Sequence, residues 1–113
     1  MVKYNPKQGD IITTDFNPTR GREQKGRRPA LIISNESYFQ KTGLLVICPI
    51  SRTSNKFPLH LSLNNELNTT GCILTQHIRT IDPEARPIEF IERVPEEIIN
   101  QVINIIGLFF KET

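Results

Sequence analysis

With 113 residues the chain has room for one domain, burying roughly two-thirds of its extended-chain surface around a single core. A hydrophobic share of 37% and a charged share of 23% are ordinary for a folded protein and exclude a disordered or low-complexity chain. The longest apolar run, Leu44 to Ile50, is too short to span a bilayer, and the first residues lack the apolar core of a secretion signal. A soluble cytoplasmic protein without a membrane partner is expected.

Cys48 and Cys72 lie in apolar runs with no Cys-x-x-Cys spacing and read as buried thiols of a reducing compartment. A zinc site joining them to His60 and His77 is the disfavoured alternative. The net charge of +2 hides an uneven distribution. Residues 20–28 hold Arg20, Arg22, Lys25, Arg27 and Arg28 against Glu23 alone, whereas residues 82–113 hold seven carboxylates against Arg86, Arg93 and Lys111. A localised basic loop on a nearly neutral protein points to a specific anionic partner more than to general adhesion. The plain alternative is a solvated charged loop.

In chain order, short apolar runs recur at hairpin spacing with turn formers between them. Asp10–Phe16 is the first predicted strand, ended by Asn17-Pro18. Pro29–Ser34 is a continuous apolar strand, as expected where both faces are buried. A helical turn over Glu36–Gln40 precedes Thr42-Gly43 and the strand Leu44–Ile50. Leu59, Leu61 and Leu63 alternate with His60 and Ser62, which places His60 on a solvent-facing side. Asn64–Gly71 reads as a loop, Cys72–Ile81 as one further extended stretch, and Pro87–Ile91 as a last short strand.

The final element has helical periodicity. Val94 stands at the expected N-cap, Pro95 at the first helical position, and Glu96 and Glu97 in the positive first turn. From Ile98 to Phe110 only Asn100, Gln101, Asn104 and Gly107 form a polar stripe, more apolar surface than packing on one sheet requires. Either the helix sits deep within the domain or a second protein covers part of it; packing on the barrel with part of the excess at a homodimer contact is favoured. The fold class that follows is mainly β with a C-terminal α-helix: a small SH3-like barrel of bent antiparallel strands.

The densest chemistry lies in Gly21-Arg22-Glu23-Gln24-Lys25-Gly26-Arg27-Arg28-Pro29-Ala30. Pro29 forces Arg28 into an extended conformation at a strand edge. A guanidinium there can grip a phosphate through two donors. From spacing alone, Arg28 is equally a phosphate clamp or a surface arginine paired with a carboxylate such as Glu23. Gly21 and Gly26 have P-loop spacing, but Arg27-Arg28 replaces Lys-Ser/Thr and a strand follows where a helix is needed, so nucleoside triphosphate binding is disfavoured. Ser51, at the end of the Leu44–Ile50 strand, is either a hydroxyl donor to a phosphoryl oxygen or a turn cap. Thr53 is its alternative.

Glu23, among cations, is expected to be ionised, as a counter-ion organising the arginines or as a base. Arg28 cannot itself be the base, because guanidinium hardly ever gives up its proton. On a straight Cys72–Ile81 strand His77 shares a side with Thr75 and Arg79, and Gln76 with Leu74 and Ile78. That arrangement conflicts with a binding role for Gln76 unless a bulge intervenes. No acidic cluster suited to magnesium stands near the basic loop.

These residues resemble the glycine-x-glutamate-glutamine-x-glycine-x-arginine-proline signature of the PemK/MazF toxin endoribonucleases. The resemblance covers nearly the whole chain. It takes in Gly9-Asp10-Ile11-Ile12, Asp15-Phe16-Asn17-Pro18-Thr19-Arg20-Gly21, Gly26-Arg27-Arg28-Pro29-Ala30, Pro49-Ile50-Ser51, Gln76, Arg79-Thr80-Ile81-Asp82 and the terminal helix. It implies a homodimer of SH3-like barrels cleaving single-stranded RNA, without cofactor or metal, and blocked by a cognate antitoxin with an acidic, flexible tail. Under it Arg28 matches the catalytic arginine, Ser51 a position usually held by threonine, and Glu23 a possible base. Arg20, Arg22, Gln24, Arg27, Arg52, Thr53, Gln76 and His77 are the expected RNA contacts. The rivals from other classes are a gyrase-poisoning toxin on the same barrel and a non-catalytic SH3-like binding module.

Overall fold

The computed structural model describes residues 3–17, 26–52, 60–63 and 66–111. Among them, chain order runs β1 (Asp10–Asp15), β2 (Arg27–Ile32), α1 (Glu36–Thr42), β3 (Leu45–Ser51), β4 (His60–Ser62) and β5 (Cys72–Leu74). It continues through β6 (Arg79–Ile81), β7 (Glu89–Arg93) and α2 (Glu96–Gly107), with 3-10 turns at Thr75–His77 and Leu108–Phe110. All strand pairs are antiparallel, in the order β4-β5-β3-β2-β1-β7, and β6 also pairs with β3. The expected mainly β fold with a C-terminal helix is what forms. The side chain of His60 lies outside the described residues.

Strands β2 and β3 are central and apolar on both sides. Leu31, Cys48 and Ile50 join Ile11 and Ile73 beneath Ile98, Ile99 and Val102 of α2. On the opposite face Ala30, Ile32, Leu45 and Ile47 pack with Ile12, Phe16 and Ile81, covered by Tyr4, Phe39 and Ile88. Alternation of side chains along each strand produces these two clusters. Each fully buried isoleucine or leucine contributes roughly 1.5–3 kcal/mol. Helix α1 starts where Asn35 accepts the Tyr38 N–H and stops at Gly43, whose positive φ lets its N–H reach the Phe39 carbonyl.

The extended stretch expected over Cys72–Ile81 is broken. Ile73 pairs with Ile50 and Arg79 with Ile47, so β5 and β6 sit on the same edge of β3 with Thr75–His77 lifted out between them. Three extra residues separate the two ladders. Pro49, between the paired positions of β3, lacks a backbone donor, which interrupts regular pairing there. The expected small barrel of bent antiparallel strands is a strongly bent sheet whose described ladders end in β4 and β7. Glu92 of β7 still reaches the β4–β5 connection, accepting from the N–H groups of Asn68 (3.1 Å) and Thr69 (2.6 Å) and from Thr69 Oγ1 (2.7 Å). A carboxylate, and not a hydrogen-bonded ladder, ties the two ends.

Helix α2 begins one residue later than expected, with Pro95 and not Val94 at the cap and no side-chain capping bond. Val94 is buried instead and packs in the same cluster as Ile99, an apolar clasp across the helix start that fixes its entry angle. The apolar excess is real: Ile103 is 41% exposed, Leu108 61% and Phe110 81%. No helix among the described residues is long and apolar enough to cross a membrane.

Candidate functional site

Arg28 occupies the first turn-proximal stretch of β2, directly opposite Thr14 of β1. The β2–β3 ladder pairs Leu31 with Cys48 and Ala30 with Pro49; Arg28 and Ser51 lie two residues beyond that last pair, each on the side its strand shares with Ala30 and Pro49. Ser51 in turn pairs with Cys72 of β5. Directly opposed residues project to the same side of an antiparallel sheet. Thr14 with Arg28, and Ser51 with Cys72, are therefore two facing pairs on one side of the sheet, a polar row at the rim of the cluster containing Ile12, Ala30, Ile32 and Ile47. Thr14, Ser51 and Cys72 are buried and Arg28 is half-buried.

The row is assembled by backbone fit. Gly71, with φ of 120°, has its α-carbon so close to Ser51 that an added Cβ would stand 2.1 Å from the Ser51 carbonyl oxygen. Only glycine lets the strand beginning at Cys72 approach Ser51 in this way. Arg28 keeps its extended conformation inside β2, in agreement with the constraint from Pro29.

Beside Arg28, the β1–β2 connection is clamped at its base. Phe16 N–H donates to Gly26 O (2.9 Å) and Gly26 N–H to Asn17 Oδ1 (3.0 Å). Two arginines from distant parts of the chain hold the same segment. Arg79 Nη1 donates to Phe16 O at 2.9 Å while its guanidinium lies 5.7 Å from the centre of the Phe16 ring. Arg86 Nη1 donates to Asp15 O at 2.7 Å and also to Asn17 O. Neither arginine was among the residues that the sequence singled out for the site. Their partners lie 63 to 71 positions away, beyond the reach of any local pattern.

Of the other expected site residues, Arg27 projects to the side opposite Arg28. It forms an exposed ion pair with Glu89 (3.0 Å) and donates to Thr13 Oγ1 (3.0 Å). Arg52 follows Ser51 and is exposed; Gln76 is exposed and His77 half-buried on the 3-10 turn that flanks β3. The lifted turn removes the conflict of a straight strand, since Gln76 no longer shares a side with the buried Leu74. Arg20, Arg22, Glu23, Gln24 and Thr53 lie outside the described residues.

Titration behaviour is perturbed away from this row. Burial pushes the Cys48 thiol up to about 12, an unreactive group under α2. Burial first, and then its hydrogen bond to Asp10 (2.5 Å), raises the Tyr4 phenol. The bonds from Thr69 lead the causes that hold the Glu92 carboxyl low. Cys48 and Ser51 stand three residues apart on β3 and so face opposite sides, which separates Cys48 from Cys72; both thiols are unbridged. Among the described residues no group of three histidine, cysteine or acidic side chains is positioned to hold a metal. A cavity of about 610 Å³ lies at the other end of β1, lined chiefly by Tyr4, Pro6, Phe39, Leu44, Pro87 and Ile88. None of the expected site residues among those described borders it.

The row can do one thing well. A forked cation between strand-borne hydroxyls complements a phosphoryl group whose equatorial oxygens gain charge. Residues 7–110 match the family described as PemK-like, MazF-like toxin of type II toxin-antitoxin system. The chain is 35% identical over 86 residues to the endoribonuclease toxin MazF of Escherichia coli K12, covering 76% of this chain and 77% of that one. The crystal structure of MazF (Form-I) from Deinococcus radiodurans superimposes with a TM-score of 0.88 at 32% identity, covering 95% of this chain and 97% of its own. A MazE-MazF structure (Form-II) from the same organism gives 0.84 at 31% identity, covering 98% and 100%.

Proposed function

Because the chain belongs to the PemK-like, MazF-like toxins of type II toxin-antitoxin systems, we propose that it is a sequence-preferring endoribonuclease acting on single-stranded RNA. The observation that carries the reading is that Arg28 at the edge of β2 and Ser51 at the end of β3 fall on one side of the sheet, beyond the Ala30–Pro49 pair. The ribose 2′-oxygen attacks the adjacent phosphorus, and the bond from phosphorus to the 5′-oxygen breaks. The products are a 2′,3′-cyclic phosphate and a 5′-hydroxyl.

Arg28 grips the non-bridging oxygens as their charge grows, and the Ser51 hydroxyl donates to one of them. A base takes the 2′-hydroxyl proton, with the Glu23 carboxylate as candidate, and an acid or water returns a proton to the departing 5′-oxygen. The nucleophile belongs to the substrate, so the step requires charge stabilisation and proton transfer but neither metal nor cofactor. Unstacked bases of a single strand can be splayed along the face bearing Arg52, Gln76 and His77, with Arg20, Arg22, Gln24, Arg27 and Thr53 completing the contacts. DNA, without the 2′-hydroxyl, is inert.

The exposed Ile103, Leu108 and Phe110 at the end of α2 suit burial against a second copy, giving a homodimer. A cognate antitoxin with an acidic segment covers the basic loop and blocks cleavage; the protein acts in the cytoplasm. The test is incubation of purified protein with a defined RNA and its DNA counterpart in EDTA, followed by end-group analysis. Fragments ending in cyclic phosphate and 5′-hydroxyl, with DNA intact, are expected. Intact RNA, or 5′-phosphate ends, overturns the reading, and intact RNA accompanied by gyrase-linked DNA breaks would replace it with a gyrase poison.

A further inference from the structure

We infer that Thr14 is a positioning residue for Arg28, its hydroxyl accepting a guanidinium N–H as that group closes on the reacting phosphodiester. The inference rests on the role given to Arg28 above. Thr14 is fully buried, and its Oγ1 is the one buried side-chain polar atom among the described residues without a hydrogen-bond partner. An orphaned buried hydroxyl destabilises a fold, whereas a valine of the same shape would sit beside Ile12 and Phe16 at no such cost.

Its place in the sheet explains why the hydroxyl is there. Thr14 is the cross-strand partner of Arg28, with β-carbons about 5 Å apart on the same side. Ser51, at the end of β3 and on the same side of the sheet, lies on the other flank of β2. A guanidinium carries five N–H donors, of which a two-pronged grip on phosphate uses two. A donor that is not on the phosphate can take a further acceptor once the nucleic acid excludes water. Thr14 Oγ1 offers one with no competing bond to break. An interaction absent from the free protein and made as charge develops lowers the barrier instead of merely tightening ground-state binding. Lower stability of the free fold is its consequence, as strain at functional sites generally shows.

The experiment compares full-length wild type, Thr14→Val and Thr14→Ser in single-turnover RNA cleavage, in binding of an RNA blocked by 2′-deoxy substitution at the scissile position, and in thermal unfolding. Thr14→Val is expected to unfold a few degrees higher yet cleave about tenfold more slowly, equivalent to ~1.4 kcal/mol. Its affinity for the blocked RNA stays within about threefold, because other phosphate contacts dominate binding. Thr14→Ser, which keeps the hydroxyl, cleaves within about threefold of wild type. A Thr14→Val protein as fast as wild type overturns the inference while leaving the proposed function intact. Equal slowing in Thr14→Ser, with both variants less stable, also overturns it by showing a packing role. Wild type that leaves RNA whole overturns the proposed function, and this step with it.

Discussion

Gly71 and Ser51 approach so closely that no side chain fits between them: a β-carbon on Gly71 would come within 2.1 Å of the Ser51 carbonyl oxygen and 2.8 Å of its carbon. The atoms in the way are backbone and have nowhere to move without unpairing β3 from β5. Gly71 also has φ of 120°, a region that residues with a β-carbon rarely occupy. Gly71→Ala is therefore expected to cost about 2–4 kcal/mol of stability. Where the variant still folds, it should cleave RNA more slowly than its stability loss explains, because Ser51 is displaced from the row. Denaturant unfolding with parallel cleavage rates checks both parts, and a stable, fully active Gly71→Ala would refute the close approach.

The neighbouring arginines of β2 should behave oppositely on mutation. Arg28→Ala removes the phosphate clamp and is expected to reduce cleavage by about 10²–10³-fold with a fold that still unfolds cooperatively. Ser51→Ala should slow it by about tenfold. Arg27 sits on the other side in an exposed pair with Glu89, so Arg27→Ala is expected to cost less than about 1 kcal/mol of stability. Its effect on cleavage is expected to be a few-fold weakening through RNA affinity that fades with salt. Single-turnover rates across a salt series separate the two arginines. Equal losses at Arg27 and Arg28 would contradict their placement on opposite sides.

Helix α2 was readable because a 3.6-residue period is a local property, and its surplus apolar residues were visible before any partner surface was known. The continuous run around Ala30–Ile32 similarly announced a strand buried on both faces. What sequence could not supply was which strands pair. The placement of Thr14, Arg28, Ser51 and Cys72 on one side of the sheet depends on three registers linking residues up to 58 positions apart, the separation of Thr14 from Cys72. Gly71 looked like an ordinary loop glycine until Ser51 was placed against it. The break between β5 and β6 did leave a signal: Pro49 in the middle of an apolar strand warns that one edge cannot pair regularly there. Val94 misled for a different reason, since burial against Ile99 outweighed capping at that position.

Arg79 and Arg86 make a third case, because both bind main-chain carbonyls at the base of the β1–β2 connection. Together they fix Asp15, Phe16 and Asn17, the stretch from which the basic loop departs. Arg86→Ala is expected to lower cleavage by about three- to tenfold while changing stability by only about 1 kcal/mol, the scale of exposed hydrogen bonds. Arg79→Lys keeps the charge but loses the planar contact with Phe16 and should be intermediate. Faster amide exchange at Phe16 and Gly26 in both variants is the structural readout. Unchanged exchange together with unchanged cleavage would mean the loop base holds without them.

Glu92 predicts how the fold responds to acid. Hydrogen bonds from Thr69, with those of the Asn68 and Thr69 backbone, hold its carboxyl below the usual carboxylate range in the folded state. A group whose pKa is depressed by folding stabilises the protein above its unfolded pKa of about 4.3 and loses that contribution as pH falls through the lower folded value. The bonds in question tie β7 to the β4–β5 connection, so their loss loosens the bent sheet at its two ends. Wild type is therefore expected to lose thermal stability progressively below about pH 5. Glu92→Gln, which cannot ionise, should start lower at neutral pH and decline less steeply over the same range. Parallel unfolding curves for the two proteins from pH 7 to pH 3 would show that the carboxylate does not hold the sheet ends together.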